Sequence, residues 1–418
     1  MKKRDFLKNM ALLGTGATAL FKNIDKWVSD VEHLSAQEAA REEDFWVNVR
    51  SGYRLKPDYI NLENGYYCIV PQETLENHIH HIREINYQGS YYMRTVQWDN
   101  KWAMQEKLAE HIGASAEEVV ITRNTTESLD TIISGFPWKK GDAAVMANQD
   151  YGAMKNMFDQ VAERHGVVLH KVDVPMHPTN DEEIVAVYEN AITPQTKLLM
   201  ICHMINITGH ILPVRKICEM AHSKGVEVMV DGAHAFAHIN FDIKELDCDY
   251  YGSSLHKWLS APLGCGLLYV KKEKISKIWP LLAEWNKDPN DIRRLNHTGT
   301  HPVHTDLAIG NALEYLYKIG PERKEERLRY LQNYWTGQVR DLPHIVLNTP
   351  KERHRSCAIA NVGVKHLEPK DLAKKLLEDY RIWTVAINGH GVHGCRITPN
   401  IYTTTKELDK FVEALREI

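Results

Sequence analysis

From about residue 118 the chain alternates short apolar runs with stretches of helical spacing. The runs are EVVIT (118–122), AAVMA (143–147), VVLHKVDV (167–174), TKLLMICHM (196–204), VEVMVD (226–231), CDYYGSS (248–254) and CGLLYV (265–270). Each has the length of a strand, and near-continuous apolarity over that length is expected of strands buried on both faces. Between them, LDTIISGF, DEEIVAVYENAI and VRKICEMAHSKG repeat their apolar positions with the period of a helix. The alternation predicts an α/β layer around a mainly parallel, seven-stranded sheet. Upstream, residues 72–113 are helical in pattern, with Gly113 placed to end the last helix. Residues 22–58 are polar and helical in pattern, carry a charged run at Glu42–Asp44, and read as a lead-in rather than a core. Beyond 305, long helices (305–340) give way to CAIANVGV, a helix over 368–379, a strand near 382–387 and a closing helix over 405–418. That succession predicts a smaller α+β domain. The expected division is a lead-in over 22–70, a large domain over 71–304 and a small C-terminal domain over 305–418.

The first 21 residues form a separate element. Basic KKRDFLKN (2–9) precedes MALLGTGATAL (10–20), an apolar stretch too short to span a bilayer. Lys3-Arg4-Asp5-Phe6-Leu7-Lys8 resembles a twin-arginine export motif with lysine in the first basic slot, and cleavage is expected near Ala19. The expectation is a periplasmic protein; the alternative is a cytoplasmic one in which this stretch is an amphipathic first helix. A net charge of −4 gives no reason to expect nucleic acid or an acidic membrane surface as partner. The seven cysteines are scattered without a C-x-x-C pair, which argues against a zinc ribbon or a dense disulfide framework.

Ligands of open α/β sheets gather beyond the carboxyl ends of the strands, and polar residues stand at those ends here. Asp231 closes one apolar run, and Lys257 follows another by three residues. A lysine can hold pyridoxal 5'-phosphate (PLP) as a Schiff base, while a carboxylate keeps the ring nitrogen protonated and electron-withdrawing. TRNTTESLD (122–130) opens a helix, where the Thr125 and Thr126 amides and the Thr126 hydroxyl suit a phosphate. An ordinary cap, Asn124 with Glu127, accounts for the same residues. Tyr151 offers a ring to stack, Asn206 an amide for a ring hydroxyl, and Ser254 a second phosphate contact. His234 lies three residues past Asp231, and His256 is placed to steer Lys257.

With NLENGYYCIVP (61–71), NTTES, DYGA, NITG, DGAHA, SSLHKW and CRITPNIYTT (395–404) in this order, the chain resembles the class V aminotransferases. That group of fold-type I PLP-dependent enzymes includes cysteine desulfurases, kynureninases and isopenicillin-N epimerase-like proteins. The resemblance runs from about Tyr59 to the C-terminus and is nearest the epimerase-like branch. It implies a homodimer with PLP on Lys257, Asp231 at the ring nitrogen, and Asn206 and His234 beside the ring oxygen. Tyr151 would stack on the ring, Thr126 and Ser254 would bind phosphate, and Thr300 of HTGTHP (297–302) would reach across the dimer interface. Arg396 would grip the substrate carboxylate, with Asn64 as a further substrate contact. The implied chemistry is epimerase- or aminotransferase-type, acting on an amino acid or peptide-like amine through a Lys257 aldimine and a quinonoid. The alternatives are a C–S lyase acting on a cysteine conjugate, a cysteine desulfurase or a non-catalytic PLP-binding protein. Desulfurization is disfavoured because Cys395 adjoins Arg396, and neighbours on an extended chain face opposite ways.

GHGVHG (389–394) fits a dinucleotide fingerprint, but extended CRITPN rather than a helix follows it. His297, His301 and His304, and likewise His390 and His393, lack an accompanying carboxylate or cysteine cluster, so no metal is expected.

Overall fold

The computed structural model describes residues 22–284 and 288–418; the segment read as an export signal (1–21) lies outside the described residues. Seven strands form the main sheet: β1 (Val119–Thr122), β2 (Ala143–Ala147), β3 (Val168–Val172), β4 (Thr196–Cys202), β5 (Glu227–Asp231), β6 (Tyr250–Ser254) and β7 (Gly266–Val270). Their order is β1-β7-β6-β5-β4-β2-β3, parallel throughout except for β7, which runs antiparallel to both neighbours.

The apolar runs are continuous because both faces are covered. Leu199 and Ile201 of β4 and Val228 and Val230 of β5 enter one hydrophobic cluster, while Leu198, Met200 and Met229 enter another on the opposite face. Edge strand β3 is the exception, with exposed positions that match its mixed VLHKV sequence. The helical stretch expected over 72–113 is three helices, Gln72–Gln88, Ser90–Thr95 and Gln97–Ile112, broken first at Gly89 and ended at Gly113.

The segment read as a lead-in differs from expectation. Phe45, Trp46 and Val49, on one side of helix Glu43–Ser51, are buried in a cluster with Trp258, Ile359 and Tyr402. The charged run occupies only the N-terminal edge of that helix. Its apolar face therefore belongs to the core beneath the site.

The C-terminal region carries a four-stranded antiparallel sheet of β8 (Ile345–Leu347), β9 (Ala360–Val364), β10 (Val385–Gly389) and β11 (Val392–Ile397), in the order β10-β11-β9-β8. GHGVHG forms the turn of the β10–β11 hairpin. The strand expected near 382–387 is divided: Ile382–Trp383 pairs in parallel with Ile60–Asn61, and β10 follows. That pairing, with a bridge between Glu63 and Thr398, lays the 61–66 segment along the end of β11. Among the described residues no helix is long and apolar enough to cross a membrane.

Candidate active site

A cavity of about 340 Å³ opens at the carboxyl ends of β1, β2, β4, β5 and β6. Thr125, Thr126, Tyr151, Asn206, Asp231, His234, Ser254, His256, Lys257 and Arg396 all line it. All but Arg396 stand at the ends of five strands of the main sheet or in the loops that follow them, as the parallel topology requires, and Arg396 comes from β11 of the C-terminal sheet. Two further residues stand outside it, Thr300 having been expected to serve the partner's site. Thr300 is exposed and outside this lining. Asn64 is fully buried and engaged internally: its side-chain N–H donates to the Thr398 carbonyl at 2.7 Å, and its oxygen accepts from the Tyr402 hydroxyl at 2.7 Å and from Asn61 at 2.8 Å.

At one end of the cavity helix Thr125–Gly135 points its N-terminus inward. Asn124 caps it by accepting the Glu127 amide at 2.9 Å, but Glu127 turns to the Arg123 amide at 2.6 Å, so the reciprocal half of the capping box is missing. Ser254 Oγ accepts the Thr125 amide at 2.8 Å and lies 2.7 Å from the Thr125 hydroxyl. The Thr126 amide and hydroxyl have no hydrogen-bond partner among the described residues. His256 also lines the cavity, and its Nδ1 is buried without a partner. Unpaired donors at a helix N-terminus are what a phosphate requires.

At the other end Asp231 is the last residue of β5, with Oδ1 accepting the Ala233 amide at 3.0 Å. Burial pushes its carboxyl up from the usual range, and Lys257 pulls it back. Lys257 Nζ lies 3.0 Å from His234 Nε2, and Trp258 Nε1 donates to His234 Nδ1 at 3.4 Å. An indole nitrogen only donates, so Nδ1 accepts and the neutral imidazole carries its proton on Nε2. That proton points at Lys257, whose amine can accept it in the uncharged form. Burial brings Lys257 down to about 8, which enlarges the uncharged fraction of its amine, and holds His234 well below its ordinary value. Trp258 is itself held by stacking on His238, with ring centroids 3.7 Å apart.

The Asn206 loop depends on Gly209. Its φ is +75°, its amide donates to the Ile205 carbonyl at 2.8 Å, and an added Cβ would lie 2.0 Å from the Ile359 carbonyl oxygen. Only glycine meets both demands.

Arg123, Gly65, Tyr66, Cys202 and Leu263 line the cavity without having been singled out from the sequence, and Glu63 pairs with a lining residue. Arg396 donates from Nε to Glu63 Oε2 at 2.9 Å and from Nη2 to Oε1 at 2.5 Å, with Nη1 on the Asn206 carbonyl at 3.2 Å. Glu63 stands in the NLENGYY marker, but nothing local signals its contact with a residue 333 positions away.

The aminotransferase class-V sequence pattern matches residues 69–411. An isopenicillin N epimerase from Streptomyces clavuligerus is 26% identical over 88% of this chain and 97% of its own length. A probable cysteine desulfurase from Synechocystis sp. is 27% identical over 85% of this chain and 90% of its own. Among solved structures, the apo cysteine desulfurase from Thermococcus onnurineus NA1 superposes with a TM-score of 0.78 at 21% identity, covering 88% of this chain and 97% of that one. This last likeness establishes the fold. PLP fits the cavity on its own terms, with unpaired donors for a phosphate at one end and a buried acid and amine at the other. Family pattern, fold and fitting residues together place the chain in the class-V aminotransferase family of PLP-dependent enzymes.

Proposed function

We propose that the protein works at the amine-bearing carbon of an amino acid or peptide-like amine, by epimerase- or aminotransferase-type chemistry. The observation that carries this reading is the arrangement of Asp231, His234 and Lys257 in one cavity, with burial lowering the lysine to about 8. Bound PLP supplies an electron sink that acidifies the hydrogen on the carbon next to the amine nitrogen. Asp231 supplies the negative charge that keeps the ring nitrogen protonated, and its burial strengthens that pairing. Lys257 Nζ is the group placed to take the proton from carbon and to return it. His234 orients that amine, and Trp258 fixes the His234 tautomer. The Thr126 amide and hydroxyl, the Ser254 hydroxyl and His256 Nδ1 anchor the phosphate.

Sulfur transfer through an enzyme thiol is disfavoured by the cysteines. All seven are free and buried, and burial pushes every thiol up, Cys68 and Cys357 to about 12 and Cys395 to about 11. A nucleophilic thiolate needs the opposite environment. Cys395 faces Pro369, away from the cavity that its neighbour Arg396 lines.

The purified protein should show a visible absorbance band that Lys257→Ala abolishes. A substrate screen in deuterium oxide then separates the reactions. Deuterium uptake with inversion and no keto acid identifies an epimerase, and keto acid identifies an aminotransferase. Pyruvate with released thiol would overturn the proposal in favour of a C–S lyase. The reading includes a homodimer in which exposed Thr300 serves the partner's phosphate site, which sedimentation analysis tests directly.

A further inference from the structure

A second buried lysine stands behind the first. Lys324, at the end of the first turn of helix Pro321–Val339, is more than nine-tenths buried, and among the described residues it pairs with no carboxylate. Burial pushes its amine down to about 8, against the pull of the Cys68 and Cys357 thiols. Burial, charge and helix end all disfavour a lysine at this position, so a tertiary contact has to account for it.

That contact is with the segment that carries Lys257. Past β6 the chain turns sharply over residues 254–261. The carbonyls of Ser254, Leu255 and Lys257 accept the amides of Lys257 at 3.4 Å, Ala261 at 3.0 Å and Ser260 at 2.9 Å, and the His256 carbonyl accepts the Cys68 amide at 3.3 Å. Among the described residues the Trp258 carbonyl meets no backbone amide, and Lys324 Nζ donates to it instead. A buried carbonyl needs such a donor. The Trp258 side chain passes the constraint on to the cavity. Its ring stacks on His238, whose Nε2 accepts the Ala358 amide at 3.0 Å and whose Nδ1 donates to the His234 carbonyl at 2.7 Å. Its indole N–H donates to His234 Nδ1, which leaves the His234 proton on Nε2, facing Lys257.

We propose that Lys324 is a positioning residue for Lys257: by holding the Trp258 carbonyl it keeps the indole on His234, and through the His234 tautomer it favours the uncharged, nucleophilic form of Lys257. Lys324 itself lies outside the cavity lining. The proposal rests on the reading of the cavity as a PLP site and adds to it a residue from the C-terminal helices. Without the clamp the indole leaves Nδ1, His234 carries its proton there, and Nε2 becomes an acceptor for the Lys257 ammonium. A hydrogen bond to the charged form favours that form.

The test follows PLP capture by full-length apoprotein across pH, read by stopped-flow absorbance. In Lys324→Met the plateau of the capture rate should begin about one pH unit higher than in wild type, which makes capture at pH 7 about tenfold slower. Asp231, Arg396, Cys68, Cys202 and His256 bear on Lys257 alike in every variant, so the displacement reports on His234. Trp258→Phe keeps a stacked ring and removes the indole donor. It should move the plateau by a similar amount, and adding Lys324→Met to it should move the plateau no further. A plateau that Lys324→Met leaves in place, even with stability lost, overturns the proposal, as do shifts that add in the double variant. If Lys324→Met does not fold, hydrogen exchange of the wild-type holoenzyme decides: the amides of 255–261 should exchange as slowly as those of β6, and faster exchange overturns the clamp. Wild-type apoprotein that captures no PLP at any pH would sink the PLP reading itself, a failure distinct from the others.

Discussion

The lowered pKa of Lys257 has a measurable consequence for cofactor capture. An ordinary lysine titrates at 10.5, and burial brings this one to about 8, with Asp231 resisting the fall. At pH 7 such an amine is roughly 9% uncharged, against roughly 0.03% at the ordinary value, so the nucleophilic form gains about 300-fold. The rate at which apoprotein captures added PLP, followed by stopped-flow absorbance, should rise about tenfold per pH unit at low pH and level off near pH 8. Asp231→Asn removes the charge that favours the ammonium form, so the plateau should begin at lower pH. The same displacement appears in stability. The native pKa lies below the unfolded one, so the charged amine costs the fold most below pH 8, and the cost vanishes as pH rises through 10.5. At about 1.4 kcal/mol per pH unit the cost is up to about 3 kcal/mol, an upper bound because Lys257 opens onto a cavity. Apoprotein Lys257→Met should therefore be more stable than wild-type apoprotein at pH 7 by urea unfolding. A capture rate that climbs without a break to pH 10, or a Lys257→Met protein less stable than wild type, would refute the lowering of Lys257 by burial.

Asp231→Asn should still capture PLP but exchange substrate hydrogen with solvent roughly 100-fold more slowly, because losing a buried charge-assisted pairing of about 3 kcal/mol lowers the rate accordingly; nuclear magnetic resonance follows the exchange. Gly209→Ala should lose at least about 2 kcal/mol of stability by urea unfolding, since the left-handed backbone and the Ile359 carbonyl both oppose a Cβ. Native protein should react with a thiol reagent at less than one of its seven cysteines until denatured, and Cys395→Ser should retain full activity. Export read from Lys3-Arg4 predicts activity in the periplasmic fraction, lost from that fraction when both residues become glutamine.

The sheet was legible in the sequence because its strands are buried on both faces. Periodicity needs no partner to be visible, and AAVMA coincides with Ala143–Ala147. The ends of those strands told where chemistry collects, and ten of the twelve residues named from the motifs line one cavity. Each of those residues follows a recognisable local pattern, whether a helix opening, a strand end or a short marker. What escaped had no local pattern. Short strand β8 is three residues long and offers too little alternation to detect. The 22–58 segment looked polar because its charges crowd the start of a helix whose other face is covered by Trp258, Ile359 and Tyr402.

By itself, then, the order of residues determined the layer architecture, the mouth of the sheet and the identities of the acid and amine that meet there. Local backbone preference and burial write those features into short stretches of chain. Only the tertiary structure decided what state those groups are in. Lys257 is lowered to about 8 because the fold buries it, beside a His234 whose ring Trp258 holds. Arg396 is paired with Glu63 because Ile60–Asn61 pairs with Ile382–Trp383 and so carries Glu63 onto the end of β11. Charge state depends on distances between residues remote in the chain, and those distances exist only after the chain has folded.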